Sequence, residues 1–276
     1  MKGTKLIYLI FAILLIAFII FSIRFTWWRK SISYDYPRVL MYHMISHHLP
    51  KNQSKFNRLR VKPEEFEKQL IWLKKNGFTS FTLSELVNLE TIPPKSVVIT
   101  FDDGYEDNFT NAFKLLKKYN MKATIFIVLN RFNANWATDK DLNQSSDELN
   151  KERMLSDEQV KTMLQSGLIE IGSHTLNHVN LPKISDNEKQ KEILNSKKEI
   201  ESKFGIKCES FAYPFGFYDE KSRDFVRKFG YKSAVTTQNS VYFKDKFNKF
   251  EIPRILISGR QGMLAFILKM KNGRVR

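Results

Sequence analysis

The hydrophobic pattern divides the chain into one unbroken apolar block and a long alternation of short apolar runs with amphipathic stretches. The block is residues 6–23, 18 positions without a charge. At about 1.5 Å per residue it nearly crosses a ~30 Å hydrocarbon layer. Further on, Val39-Leu40-Met41 predicts a strand. Pro63 to Asn76 predicts a helix, with Phe66, Leu70 and Leu73 on one stripe and Gly77 as its stop. Ser96 to Thr100 reads as a strand, Glu106 to Tyr119 as a helix, and Ala123 to Leu129 as a strand rich in β-branched residues. Residues 130–153, with Asn133, Asn135, Asn143, Ser145 and Ser146, read as a long polar surface loop. Thr82-x-x-Glu85 and Ser156-x-x-Gln159 are capping boxes, the second opening a helix that Gly167 stops. Strands are predicted at Ile169 to Ile171, Ser210 to Tyr213 and Ser233 to Thr237. Helices are predicted at Asp186 to Phe204, before Gly205, and at Asp219 to Phe229, before Gly230.

Repeated strand–helix alternation argues for an α/β fold with a parallel sheet and helical crossovers. The polar clusters fall where strands stop: His43 after the first, Asp102 and Asp103 after another, His174 and His178 after a third, Pro214-Phe215-Gly216 after a fourth. A (β/α) barrel builds its active site from the C-terminal ends of several strands in this way. An open doubly wound sheet usually gathers residues at one switch point.

Composition adds compartment and surface. Lys2 and Lys5 precede the apolar block, and Arg24, Trp27, Trp28, Arg29 and Lys30 follow it. A tryptophan pair suits a membrane–water interface. A cleaved signal peptide usually has a shorter apolar region and a small-x-small site close behind it, so an uncleaved anchor over residues 1–30 is the expectation. Residues 31–37 read as a linker and 38–276 as one domain, held outside the cytoplasm. Basic residues at both ends leave the positive-inside count undecided. The formal net charge is +16, from 45 Lys+Arg against 29 Asp+Glu. The lysines are scattered along helical segments and no nucleic-acid recognition motif accompanies them, so solvated surface or contact with anionic membrane lipid is expected rather than nucleic acid. Cys208 is the only cysteine, which excludes an intrachain disulfide.

Two segments carry the chemistry: Thr100-Phe101-Asp102-Asp103-Gly104-Tyr105 and Ser173-His174-Thr175-Leu176-Asn177-His178. Asp-Asp-Gly alone is compatible with a turn, and an i, i+4 histidine pair alone with a helix surface. Together they are more specific, since the chain holds five histidines in all, at 43, 47, 48, 174 and 178. One carboxylate and two imidazoles form a three-ligand set for a divalent metal that leaves a position open for water. The second aspartate is then free to act as a base. A metal-assisted hydrolase is the reading.

These two segments resemble the first two motifs of the polysaccharide deacetylases, the NodB-homology family (carbohydrate esterase family 4), over roughly residues 38 to 260. The resemblance implies a distorted (β/α) barrel and metal-dependent removal of N-acetyl groups from glycans. By position it implies Asp103, His174 and His178 as ligands of one metal ion and Asp102 as general base. Zn²⁺ is the commonest metal implied, and Co²⁺, Ni²⁺ and Fe²⁺ are also compatible. Phe211-Ala212-Tyr213-Pro214-Phe215-Gly216 aligns with the third motif, and the Phe215 backbone amide is the implied oxyanion donor. Glu209, Ala212 and Tyr213 stand where that motif has arginines and a proline, so no arginine there can orient Asp102. No histidine lies beyond His178, and the C-terminal Leu-x-His acid of the family is therefore absent. Instead Leu40-Met41-Tyr42-His43 resembles the N-terminal segment of deacetylases acting on poly-β-1,6-N-acetylglucosamine, in which the barrel is circularly permuted and this histidine is the acid. His47 and His48 lie in a Pro/Asn-rich loop and read as surface residues.

The expected protein is thus a membrane-anchored glycan N-deacetylase, with an N-acetylated glycan and membrane lipid as partners and exopolysaccharide synthesis or export machinery as associates. The alternatives are a deacetylase for peptidoglycan or a lipid-linked sugar, and a catalytically silent glycan-binding domain. Complete Asp-Asp and His-x-x-x-His motifs argue against the last, because folding requires none of the four.

Overall fold

A computed structural model of the chain describes residues 2–132, 146 and 148–273. Of the expected 130–153 loop, residues 133–145 and 147, including Asn133, Asn135, Asn143 and Ser145, lie outside the described residues.

In chain order the elements are helix α1 (Lys2–Phe25), strands β1 (Arg38–Tyr42), β2 (Met44–Ile45) and β3 (Arg60–Val61), helix α2 (Pro63–Lys75), strand β4 (Thr79–Phe81), helix α3 (Leu83–Asn88) and strand β5 (Ser96–Phe101). A π-helical stretch, Asn108–Phe113, runs into α4 (Lys114–Tyr119) and is followed by β6 (Ala123–Ile127), α5 (Asp157–Gln165) and β7 (Ile169–Ser173). Helix α6 (Asp186–Phe204), β8 (Ser210–Ala212), α7 (Glu220–Lys228), β9 (Ser233–Val235), β10 (Ile255–Leu256) and α8 (Met263–Asn272) complete the chain. Both predicted capping boxes form, and a third opens α6 at Ser185 and Glu188. Asp219 is an N-cap rather than a helical residue of α7.

The main sheet is parallel, in the order β10-β1-β5-β6-β7-β8-β9, with β4 beside the start of β5. A parallel bridge between Val235 and Ile252, three residues before β10, joins the two edges and closes a distorted barrel. The N-terminal strand β1 therefore sits between the last strand of the chain and β5.

Side-chain alternation then decides what faces the barrel axis. Leu40, Val97, Ile99 and Phe101 point outward and join Phe66, Leu70 and Leu73 of α2 in the large outer core. Val39, Val98, Phe126, Ala212 and Val235 point inward, against Leu83 and Leu86 of α3, so the short helix α3 plugs the barrel interior. The inward parity runs Val98 and Thr100 on β5, Val39 and Met41 on β1 and Gly172 on β7, and continues one step past each strand to Asp102, His43 and His174. Chemistry at positions 43, 102 and 174 shares the interior at the strands' C-terminal ends because it shares this register.

Helix α1 contains a 22-residue stretch, Thr4–Phe25, long and apolar enough to cross a membrane and left exposed by the rest of the described residues. By length and composition it suits an anchor or a leader equally. The stretch that follows packs on the domain. Ile32, Tyr34 and Tyr36 lie against the core. The buried Arg38 guanidinium donates to the carbonyls of Ile32 (2.8 Å), Ser33 (3.0 Å), Tyr36 (2.5 Å) and Met270 (2.9 Å).

Candidate active site

Strand β5 ends at Phe101, Asp102 and Asp103 follow it directly, and the chain must turn at once to clear the barrel. Asp103 adopts φ +76° and Gly104 φ +82°. The glycine accepts this conformation without cost, whereas a β-carbon disfavours it in the aspartate. Thr175 (φ +68°), His178 (φ +54°) and Phe215 (φ +58°) are likewise left-handed. Among the described residues, four of the seven non-glycine residues with positive φ thus gather here, and such residues cost on the order of 1–3 kcal/mol each unless their surroundings impose them.

The surroundings do impose them. The His174 amide donates to the Ile127 carbonyl at 3.0 Å, and the His178 amide to Thr175 Oγ1 at 2.9 Å. Buried Glu192, reaching in from α6, accepts from the Leu176 and Asn177 amides at 3.0 and 2.9 Å and from Asn177 Nδ2 at 2.7 Å. At the third motif, a β-carbon on Gly216 (φ +76°) would lie 2.0 Å from Thr237 Oγ1, so the Pro-Phe-Gly turn closes only over glycine. That turn lays the Phe215 ring on His178, with centroids 4.4 Å apart.

Asp103, His174 and His178 come together as the sequence predicts. Asp103 Oδ1 is 3.5 Å from Nε2 of each histidine, and the two Nε2 atoms are 3.1 Å apart. All three residues are buried, and their donor atoms lie within 4.8 Å of one another. A tetrahedral zinc with bonds of ~2.0–2.1 Å sets its ligand atoms ~3.4 Å apart, so this triangle has the size such an ion needs. His174 Nδ1 lies 2.8 Å from the Ala212 carbonyl, which assigns the proton to Nδ1 and leaves Nε2 to bind. Burial, with His178 beside it, pushes His174 down to about 4, so its imidazole is neutral at physiological pH, the form that ligates. Burial pushes the Asp103 carboxyl up, against the opposing pull of His43 and His174.

Asp102 is not a corner of this triangle; inside the barrel it meets a residue that the sequence motifs do not single out. Arg254 Nη1 donates to Asp102 Oδ1 at 2.6 Å and Nη2 to Oδ2 at 2.7 Å, a two-pronged pair. The guanidinium is itself fixed by Thr236 O at 2.9 Å and Thr100 Oγ1 at 3.1 Å and has no exposed surface. Burial raises the Asp102 carboxyl, but the Arg254 charge and hydrogen bonds outweigh it and hold the group well below the usual carboxylate range. The arginine missing from the third motif is thus supplied from the segment before β10. Its trace in the sequence was a lone charge in the apolar run Ile252-Pro253-Arg254-Ile255-Leu256, which demands a buried partner.

His43 leaves β1 one residue after the Tyr42–Phe101 pair, next to Asp102, and is half-buried. Its charge bears on both aspartates. Asn108, in the π-helical stretch, donates to its carbonyl at 2.8 Å. A π-helical insertion beside a site is a recurrent device for re-aiming side chains. His47 is exposed, 3.5 Å from Glu64, and His48 lies 3.0 Å from the Arg60 carbonyl; neither joins the cluster.

Comparison with known proteins agrees with this geometry. The family model for polysaccharide deacetylase matches residues 90–234. YxkH of Bacillus subtilis (strain 168), whose name places it among the polysaccharide deacetylases, is 34% identical over 240 residues, covering 84% of this chain and 76% of that protein. A poly-β-1,6-N-acetyl-D-glucosamine N-deacetylase of Staphylococcus epidermidis is 29% identical over 209 residues, covering 72% of this chain and 68% of the relative. The Streptococcus pyogenes deacetylase PplD, solved with acetate, superposes with a TM-score of 0.71 at 25% identity, over 87% of this chain and 99% of that one. A barrel that gathers two aspartates and two histidines at the ends of its strands, in a sequence that aligns over most of its length with such enzymes, belongs to the polysaccharide deacetylase family.

Proposed function

We propose that the chain removes N-acetyl groups from a poly-β-1,6-N-acetylglucosamine at the outer side of a membrane, with one divalent metal, zinc first among candidates, held by Asp103, His174 and His178. The observation that carries this reading is the donor triangle set beside an arginine-clamped aspartate. A divalent ion at the triangle supplies Lewis-acid polarisation of the acetamide carbonyl and a water acidic enough to ionise near neutral pH. Asp102, kept ionised by Arg254, takes the proton of the attacking water. The Phe215 amide donates to the oxygen on which negative charge develops. His43 gives a proton to the nitrogen as the C–N bond breaks, releasing acetate and a free amine. Histidine suits that step because its ordinary pKa is near working pH.

The substrate reading is supported by the position of His43 after the first strand, by the absence of a later histidine and by the relatives named for that polymer. Helix α1 is read as the anchor, which keeps the domain near the surface where such a polymer emerges. Incubating the full chain with zinc and, side by side, β-1,6-N-acetylglucosamine oligomers and purified peptidoglycan, with acetate release measured by mass spectrometry, tests it. Preferential release from the oligomers is expected. Preference for peptidoglycan would overturn the substrate while keeping the reaction. His43→Ala is expected to keep its metal and lose at least ~10²-fold in rate on the same oligomers. Near-normal turnover would remove the N-terminal acid and the chief reason for choosing this polymer.

A further inference from the structure

The net charge of +16 is not spread evenly over the barrel. In a parallel fold each strand starts, and each crossover helix ends, at the same face, opposite the catalytic mouth. The helix-to-strand connections at that face, together with the end of α8, are 72–79, 88–95, 117–122, 165–168, 203–209, 227–232 and 269–273. They carry thirteen lysines and arginines against two acidic residues, Glu90 and Glu209. The mouth is mixed: residues 42–62 are basic, whereas 102–108 and 213–220 hold six acids and no lysine or arginine. Lysines in a last helical turn are partly explained by the helix dipole. Lys207 and Lys232 lie beyond their helices and are exposed, so the dipole does not account for them. With exposed Lys74, Lys75, Lys228 and Lys271 they form no ion pair among the described residues.

The apolar helix leaves the domain from this same face. The Ile32 amide donates to Lys271 O at 2.9 Å, at the end of α8, and Arg38 ties 32, 33 and 36 to Met270 at the start of β1. From this we infer that the face formed by the helix C-termini and strand N-termini is a docking surface for an anionic lipid bilayer, so that the domain sits on its basic base with the catalytic mouth turned away from the membrane. This inference rests on the anchoring role of α1 proposed above and adds to it an orientation and a lipid class. It also answers the difficulty that a cationic enzyme should repel its amine-bearing product. Charges facing the bilayer lie a barrel's height from the mouth, well beyond the ~8 Å screening length at physiological salt.

Helix α6 provides the ruler, since exposed Asn187 stands at its mouth end and exposed Ser202 in its last turn, ~22 Å away at 1.5 Å per residue. The native Cys208 is buried, so Asn187→Cys and Ser202→Cys can each be labelled alone. The full chain is reconstituted in phosphatidylcholine vesicles with or without phosphatidylglycerol, labelled from outside, and energy transfer to headgroup acceptors is read after flotation. Transfer from position 202 is expected to exceed that from 187 severalfold on anionic vesicles. The excess should shrink on neutral lipid or at 1 M salt and in Lys74→Glu/Lys228→Glu/Lys232→Glu, which should keep normal turnover of a soluble oligomer. Equal transfer from the two ends, or transfer indifferent to anionic lipid, would overturn the inference. So would loss of the excess to a soluble polyphosphate competitor, which would give the face to a polymeric anion. Failure to float with neutral vesicles would instead count against α1 as the anchor, and the 202-to-187 ratio on anionic vesicles would still decide the face.

Discussion

His178→Ala is expected to leave the purified chain without stoichiometric metal and with deacetylation below detection. The residue supplies one corner of a triangle whose other corners, Asp103 Oδ1 and His174 Nε2, lie 3.5 and 3.1 Å from it. Two ligands alone do not define the open tetrahedral site that the chemistry needs. The effect should also appear in stability. A ligand that binds only the folded state at a thousand times its Kd adds about 4 kcal/mol. For a domain of this size that corresponds to a rise in Tm of about 8–16 °C. Added zinc should therefore raise the melting temperature of the parent chain and leave that of the variant unmoved. Because His178 sits at φ +54°, His178→Asn is the better-tolerated companion, since asparagine enters the left-handed region more readily than alanine. Elemental analysis after dialysis and melting with and without zinc decide the matter. Unchanged metal content in either variant would remove His178 from the ligand set.

The sequence made some of this architecture legible and hid other parts for identifiable reasons. Strong local signals carried over: Phe66, Leu70 and Leu73 bury one stripe of α2, and α6 spans the predicted Asp186 to Phe204. The two-residue strands β2, β3 and β10 and the partly exposed β4 left no apolar run to read and were not foreseen, whereas β8 and β9, three fully buried residues each, were. Helix α8 was missed because its buried face includes Lys269, which packs its stem inward and donates to Leu256 O and Gln261 Oε1, breaking the apolar stripe. Glu106 to Tyr119 follows helical spacing, yet its first half is π-helical, because Asn108 and Asn111 reach the carbonyls of His43 and Ile45. The Asp103–His174–His178 triangle was readable because its residues are rare and follow strands. Arg254 was not, because its partner lies 152 residues away and only the closing of the barrel brings the two together.

Arg254 accordingly gives the second large expected effect. Arg254→Lys keeps the charge but loses the planar fork that meets both oxygens of Asp102, so the lysine variant is not conservative here. If Asp102 is the base and Arg254 its positioning residue, the lysine variant should retain metal and lose ~10²–10⁴-fold in kcat, the span of acid–base catalysis. Arg254→Ala should cost more than rate. Removing one partner of a buried pair strands the other charge, at about 3–5 kcal/mol, enough to lower Tm by roughly 6–20 °C. A role in folding alone would produce the same loss of stability, so the discriminating measurement is a double-mutant cycle in kcat. Asp102→Asn alone should lose most of the rate while keeping its metal. Adding Arg254→Lys to Asp102→Asn should then cost little further rate, because residues that act as a unit are strongly non-additive. Fully additive losses would mean that Arg254 supports the barrel without aiming the aspartate. Near-parental kcat in Arg254→Lys would mean that a point charge suffices and the two-pronged geometry is dispensable.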